Sequence, residues 1–137
     1  MDDIAFIALG SNVGDRARHI EDAVERISLI PESRILAKTS VEQTDPLGSV
    51  PQGPYLNQMV ALRTSLAPPD LLSYLMAAEI AGGRMRSVRW APRTIDLDIV
   101  KYAATVWDSP VLKVPHAELD NRHFWLRELA ELEEVMN

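Results

Sequence analysis

Arg89-Trp-Ala-Pro-Arg-Thr-Ile-Asp-Leu-Asp-Ile-Val100 is the stretch from which the rest of the chain can be read. From Thr94 onward it alternates polar and apolar residues. A β-strand sends successive side chains to opposite faces, so Thr94, Asp96 and Asp98 share one face and Ile95, Leu97 and Ile99 the other. The apolar set is expected to pack on helices. The acidic set places two carboxylates on one face with Cα atoms roughly 7 Å apart, from the rise of a strand. Like charges that close repel, so a cation is expected between or above them. Paired hard oxygen ligands suit Mg²⁺, which takes one or two carboxylates and completes its shell with water and substrate phosphates.

Immediately upstream stand Arg84, Arg86, Arg89 and Arg93, with Trp90 among them. Arginine forks match phosphate oxygens in pairs, and an indole face stacks on a base or a guanidinium. Taken singly, aspartates at i and i+2 on an exposed strand are common, and a run of arginines usually marks a solvated loop. Their conjunction within one loop and strand supplies the parts of a phosphoryl-transfer site.

Working outward, Ile4–Leu9 is an apolar run expected to form a buried strand that ends in a turn at Gly10-Ser-Asn12, a segment equally open to a plain turn or a site role; no Gly-Lys-Ser/Thr follows to make a phosphate-cradling loop. Asp15 is placed to cap a helix over 16–29, with Ile20, Ala23, Val24, Ile27 and Ile30 at helical spacing and Pro31 as its stop. Residues 33–44 read as a second strand, 45–54 as a Pro/Gly-rich loop and 55–65 as a third strand. Pro68-Pro-Asp70 opens a second helix on which Leu71, Leu72, Leu75, Ala78 and Glu79 keep the period, ended by Gly82-Gly83. After the strand at 95–102, residues 106–110 are expected to hairpin back and 112–116 to run extended. Residues 123–136 read as a final helix with Leu126, Leu129 and Leu132 inward. The order βαββαβ with C-terminal additions predicts an α+β, ferredoxin-like fold: one antiparallel sheet with helices on one face.

The 137 residues suffice for a single domain, 1–137, with a core. Fourteen basic against 20 acidic residues give a net charge of −6, which argues against non-specific nucleic-acid or membrane binding, although the arginine cluster keeps a local basic patch. The absence of cysteine excludes disulfides, thiolate metal sites and a cysteine nucleophile. No apolar run approaches the ~18 residues of a membrane span, and Met1-Asp-Asp-Ile has no signal-peptide character, so a cytoplasmic protein is expected, monomeric or a weak homodimer.

Arg-Trp-Ala-Pro-Arg-Thr-Ile-Asp-Leu-Asp resembles the signature of the 6-hydroxymethyl-7,8-dihydropterin pyrophosphokinase family, folate-pathway enzymes that move pyrophosphate from ATP to a pterin alcohol. The resemblance runs from Ala8-Leu-Gly-Ser-Asn12 to Arg122-His-Phe124. It implies a ferredoxin-like fold, ATP and the hydroxymethyl-dihydropterin as small-molecule partners, and two Mg²⁺ ions held by Asp96 and Asp98. It implies Arg84 and Arg93 as catalytic clamps on the transferred group. Arg86, Arg89, His116 and Arg122 are implied on the ATP phosphates, Trp90 as a cover over the site, and Glu79 on a nucleotide-facing helix. For the pterin it implies the loop around Thr44 and Leu47, the amide of Asn57, and Tyr55 with Phe124 as flanking aromatics. An amide suits the donor–acceptor edge of a pterin and aromatics suit its faces. Singly, Tyr55 and Phe124 are ordinary core residues, Asn57 an ordinary surface one and His116 an ordinary packed histidine.

Five positions depart from the family pattern: Met76, Ala91, Val111, Lys113 and Ala117, all on the ATP side. They bear on nucleotide affinity and base preference. Two rivals follow: a phosphotransferase paralogue acting on a different pterin or alcohol, and a non-catalytic ferredoxin-like module that senses a small ligand.

Overall fold

The computed structural model describes residues 2–45, 53–83 and 94–136. Their elements run β1 (Asp3–Ser11), α1 (Arg16–Ser28), β2 (Ser33–Lys38), β3 (Glu42–Thr44), β4 (Tyr55–Thr64), α2 (Pro68–Ala81), β5 (Asp96–Tyr102), β6 (Trp107–Ser109), β7 (Leu112–Val114), a 3-10 turn (Leu119–Asn121) and α3 (His123–Met136). The main sheet is antiparallel in the order β2-β4-β1-β5, and β3 also pairs with β4.

Local chemistry explains most boundaries. Asp15 caps α1 by accepting a hydrogen bond from the Arg18 N–H at 3.2 Å. Two prolines open α2, where a missing N–H costs nothing. Gly82 and Gly83 end it, Gly83 at φ +92, a conformation that disfavours a side chain.

Three expectations needed correction. The strand expected over 33–44 is two strands. The chain leaves the ladder at 39–41, where the Thr39 hydroxyl accepts from the Met59 N–H at 3.0 Å. β1 continues through Gly10 and Ser11, both paired to β4, rather than turning at Gly10. The segment at 106–110 hairpins as expected, pairing with β7 in a separate two-stranded sheet.

Finally, the helices do not share one face. α1 and α2 cover one side of the sheet, where Ile20, Ala23, Ile27, Leu71, Leu75 and Ala78 meet Ala5, Ile7, Leu9, Val60, Leu62, Ile95, Leu97 and Ile99. α3 covers the other, with Trp125, Leu129 and Leu132 against Phe6, Ala8, Met59, Ala61 and Val100. Strand β1 is therefore buried on both faces, which is why Ala5–Leu9 reads as an unbroken apolar run. The buried stripe of α3 includes Trp125, while Leu126 is turned outward, 40% exposed.

One extra residue in β5, Val100, faces the Phe6–Ile7 step of β1. This bulge changes the phase, so Val100 packs under α3 while Tyr102 buries on the α1/α2 side. The Tyr102 hydroxyl donates to the Leu66 carbonyl at 2.9 Å, and burial beside Asp3 and Asp70 pushes its pKa upward.

Candidate active site

The site lies on the α3 face, toward the end of β1 that follows Leu9. Strand register assembles it. Asn57 on β4 and Asp96 on β5 are both the cross-strand partners of Gly10 on β1, and Asp98 is the partner of Ala8 one row further in. With strands about 4.8 Å apart, Asn57 and Asp96 stand on either side of Gly10, roughly 10 Å from each other along the row. Gly10 is where the absence of a side chain matters. A Cβ there would meet Asn57 Oδ1 at 3.2 Å and Tyr55 Cδ1 at 3.4 Å. Its hydrogen leaves the trough that Tyr55 and Asn57 border.

Asn57 is buried, and its Nδ2 donates a short hydrogen bond to the Thr44 hydroxyl. This leaves Oδ1 directed over Gly10. Thr44 and Phe124 in turn line a cleft of about 360 Å³ that also has Asp45, Arg122 and Arg127 in its walls.

On the other side, His116 Nε2 stands 3.7 Å from Asp98 Oδ1. The histidine is held at two further points. Its backbone N–H donates to Val100 O at 2.8 Å, and its Nδ1 accepts from the Glu118 N–H at 3.0 Å. A ring nitrogen that accepts carries no proton, so this geometry assigns the ring hydrogen to Nε2, the atom facing Asp98. Trp125 stands edge-to-face with His116, ring centroids 4.9 Å apart at 84°, and carries the Arg122 guanidinium over its ring at 4.5 Å. Phe124 meets Trp125 at 6.2 Å.

An amide, a bare glycine floor, two carboxylates, a histidine and an arginine thus share one end of one sheet face. The profile of the family described as 7,8-dihydro-6-hydroxymethylpterin-pyrophosphokinase (HPPK) matches residues 6–134. The chain belongs to that family. It is similar to the enzyme named 2-amino-4-hydroxy-6-hydroxymethyldihydropteridine pyrophosphokinase of Pseudomonas aeruginosa, 42% identical over 127 residues, 93% of this chain and 78% of the relative. The protein of the same name in Bacillus subtilis is 40% identical over 132 residues, 96% and 79% of the two chains. A solved structure described as HPPK-DHPS in complex with substrates has the same fold, with a TM-score of 0.67 and 12% identity over 93% of this chain. This chain spans 39% of that one, and the likeness bears on fold alone.

Within this HPPK-family chain, Thr44, Tyr55, Asn57, Asp96, Asp98, His116, Arg122 and Phe124 all fall in or beside the assembly just described. Glu79 does not. It is 5% exposed, packed between α2 and β5, and its Oε2 accepts from the Leu97 N–H at 2.8 Å. β5 is an edge strand, so that N–H points away from β1 and needs a partner, which Glu79 supplies from the opposite side of the sheet from the aspartates. Leu47, Arg84, Arg86, Arg89, Trp90 and Arg93, as well as Ala91, lie outside the described residues.

Gly10, for which the sequence leaves a plain turn and a site role equally open, takes its place from Asn57 on β4 and Asp96 on β5, which no local signal shows. Trp125 lies on the buried stripe of α3 in place of Leu126. Glu128 lies one helical turn beyond Phe124, 3% exposed, with neither carboxylate oxygen hydrogen-bonded among the described residues. Burial, then the neighbouring Glu42 and Glu131, push its pKa up to about 8 against a smaller opposing pull from Arg127.

Proposed function

We propose that this chain transfers the pyrophosphoryl group of ATP to the hydroxymethyl oxygen of 6-hydroxymethyl-7,8-dihydropterin and releases AMP, the folate-biosynthesis step for which its family is named. The observation that carries the reading is the row Asn57–Gly10–Asp96, with Asp98 behind it. It sets a group suited to a heterocycle's amide-like edge next to open floor, and that floor next to paired carboxylates.

In this reading the pterin lies over Gly10. Asn57, already oriented by Thr44, pairs with its edge, and Tyr55 and Phe124 flank its faces. The hydroxymethyl arm then points along the row toward Asp96 and Asp98. Leu47 keeps its expected role toward the pterin in the same reading.

The donor set fits magnesium. Among the described residues no cluster of three or more acidic or histidine side chains stands ready for a metal. Two carboxylates are nonetheless what Mg²⁺ takes when substrate phosphates complete its shell. Asp96 and Asp98 would hold it, as two ions. When bound, magnesium neutralises phosphate charge and eases loss of the alcohol proton.

The chain's own residues do the positioning. His116, with its hydrogen on Nε2, and Arg122 donate toward phosphate oxygens, and Arg84, Arg86, Arg89 and Arg93 clamp the rest, with Trp90 covering them. The pterin oxygen attacks the β-phosphorus in line; a new P–O bond forms there as the bond to the α-phosphate oxygen breaks and AMP departs. No covalent enzyme intermediate is needed, because this chemistry depends on alignment and charge. The small-molecule partners are ATP and the pterin. A cytoplasmic location and a monomer or weak homodimer belong to the same reading. So does a ferredoxin-like architecture, with β2 and β3 as one interrupted strand.

Asp98→Ala tests the assignment. Turnover to AMP is expected to fall by at least ~10²–10³, the usual effect of removing one charge-stabilising group, with the far-ultraviolet spectrum unchanged. A folded variant that keeps substantial activity refutes the role of Asp98.

A further inference from the structure

Trp125 is the largest fully buried side chain of the described residues, and it occupies an unusual place. Its ring contacts two side chains that come from different parts of the chain and face the same site. His116 follows β7 and meets the indole edge-to-face at 4.9 Å; Arg122 precedes α3 and lays its guanidinium 4.5 Å over the ring. The Trp125 backbone adds a third link, its N–H donating to the Arg122 carbonyl at 3.0 Å. The remaining restraints on these two groups are sparse. Arg122 Nε is buried without a hydrogen-bond partner among the described residues, and the guanidinium lies against the indole face. The His116 ring has the Glu118 N–H on one side and Asp98 at 3.7 Å on the other. Trp125 lies edge-to-face against that ring and limits its rotation.

We propose that Trp125 is a positioning residue for the nucleotide half of the reaction: its ring sets the orientation of both His116 and Arg122. The inference rests on the pyrophosphokinase reading. A cation on an indole face and an aromatic edge contact are both directional, whereas an aliphatic side chain of similar burial supplies packing without direction. Groups that orient ligand-contacting residues typically matter by ~10–100-fold when removed. The pterin half is held chiefly by Asn57 and Thr44 from β4 and β3, with Phe124 alone of its described groups touching Trp125, at 6.2 Å between ring centroids, so the two substrates are affected unequally.

Two variants of the full chain make the test, Trp125→Phe and Trp125→Leu. Each is measured for the Kd of MgATP by calorimetry without pterin, and for KM of both substrates. Trp125→Leu is expected to weaken MgATP binding and raise KM for ATP by ~10–100-fold while KM for the pterin moves less than about threefold. Trp125→Phe, which keeps an aromatic face, is expected to recover most of that loss. If Trp125→Leu does not fold, Trp125→Met, which also lacks an aromatic face, decides in its place: a change confined to ATP supports the proposal, and equal changes for both substrates, or none, overturn it. Folded variants of both kinds with wild-type MgATP affinity also overturn it. The Kd needs no turnover, so absence of AMP formation in the wild type would defeat the functional reading and still leave the role of Trp125 decided by binding.

Discussion

Glu128 offers the most quantitative prediction. Its carboxyl is enclosed under α3, without a hydrogen bond among the described residues and beside Glu42 and Glu131, and its pKa stands at about 8 against an ordinary 4.5. Between these two values the folded protein holds a proton that the unfolded chain has released. The unfolded state binds fewer protons there, so stability falls as pH rises. The contribution is fully present below pH 4.5 and lost progressively up to about pH 8. At about 1.4 kcal/mol per pH unit, the loss is about 3 kcal/mol by pH 7 and on the order of 4–5 kcal/mol above pH 8. Glu128→Gln removes the titration while keeping the shape. Urea denaturation of both proteins from pH 4.5 to 8.5 isolates the effect, because titrating groups remote from Glu128 cancel in the difference. The variant is expected to gain about 3 kcal/mol relative to wild type between pH 4.5 and 7, with an unchanged slope against urea. A difference that stays constant within about 0.5 kcal/mol across that range refutes the reasoning.

Three further outcomes follow from the packing. Gly10→Ala, which forces a Cβ to within 3.2 Å of Asn57 Oδ1, is expected to raise KM for the pterin by about tenfold with little change for ATP; steady-state kinetics on both substrates check it, and an unaltered pterin KM removes the trough over Gly10. Glu79→Ala leaves the edge N–H of Leu97 unsatisfied and is expected to cost ~1–3 kcal/mol in chemical denaturation. Leu129→Ala is expected to cost ~2–5 kcal/mol and Leu126→Ala less than about 1, by thermal melts; the reverse order would place the wrong face of α3 on the sheet.

Much of this was legible in the sequence because it is local. Alternation in Thr94–Ile99 sorts the aspartates from the core residues, and the structure sorts them the same way. The helical period over 16–29, its Asp15 cap, and the Pro and Gly bounds of α2 are likewise properties of neighbouring residues. What failed was relational. The residues of α3 offer two overlapping apolar stripes, one through Trp125, Leu129 and Leu132 and one through Leu126, and only the sheet face it lands on chooses between them. A signal for that face did exist: Ala5–Leu9 is apolar without alternation, as a strand covered on both sides must be. The Glu79 carboxylate satisfies an edge N–H that has no sequence signature, so its periodicity on α2 says nothing of its task. Gly10 acquires meaning only when register sets Asn57 and Asp96 on either side of it.

The central claim is a pyrophosphoryl transfer at the Asp96–Asp98 end of the Gly10 trough. Phosphorus NMR of the protein with MgATP and 6-hydroxymethyl-7,8-dihydropterin, with and without chelator, tests it most directly. AMP and a pterin diphosphate, both lost on chelation, are the predicted products; ADP with a pterin monophosphate, or turnover indifferent to chelator, would contradict the account.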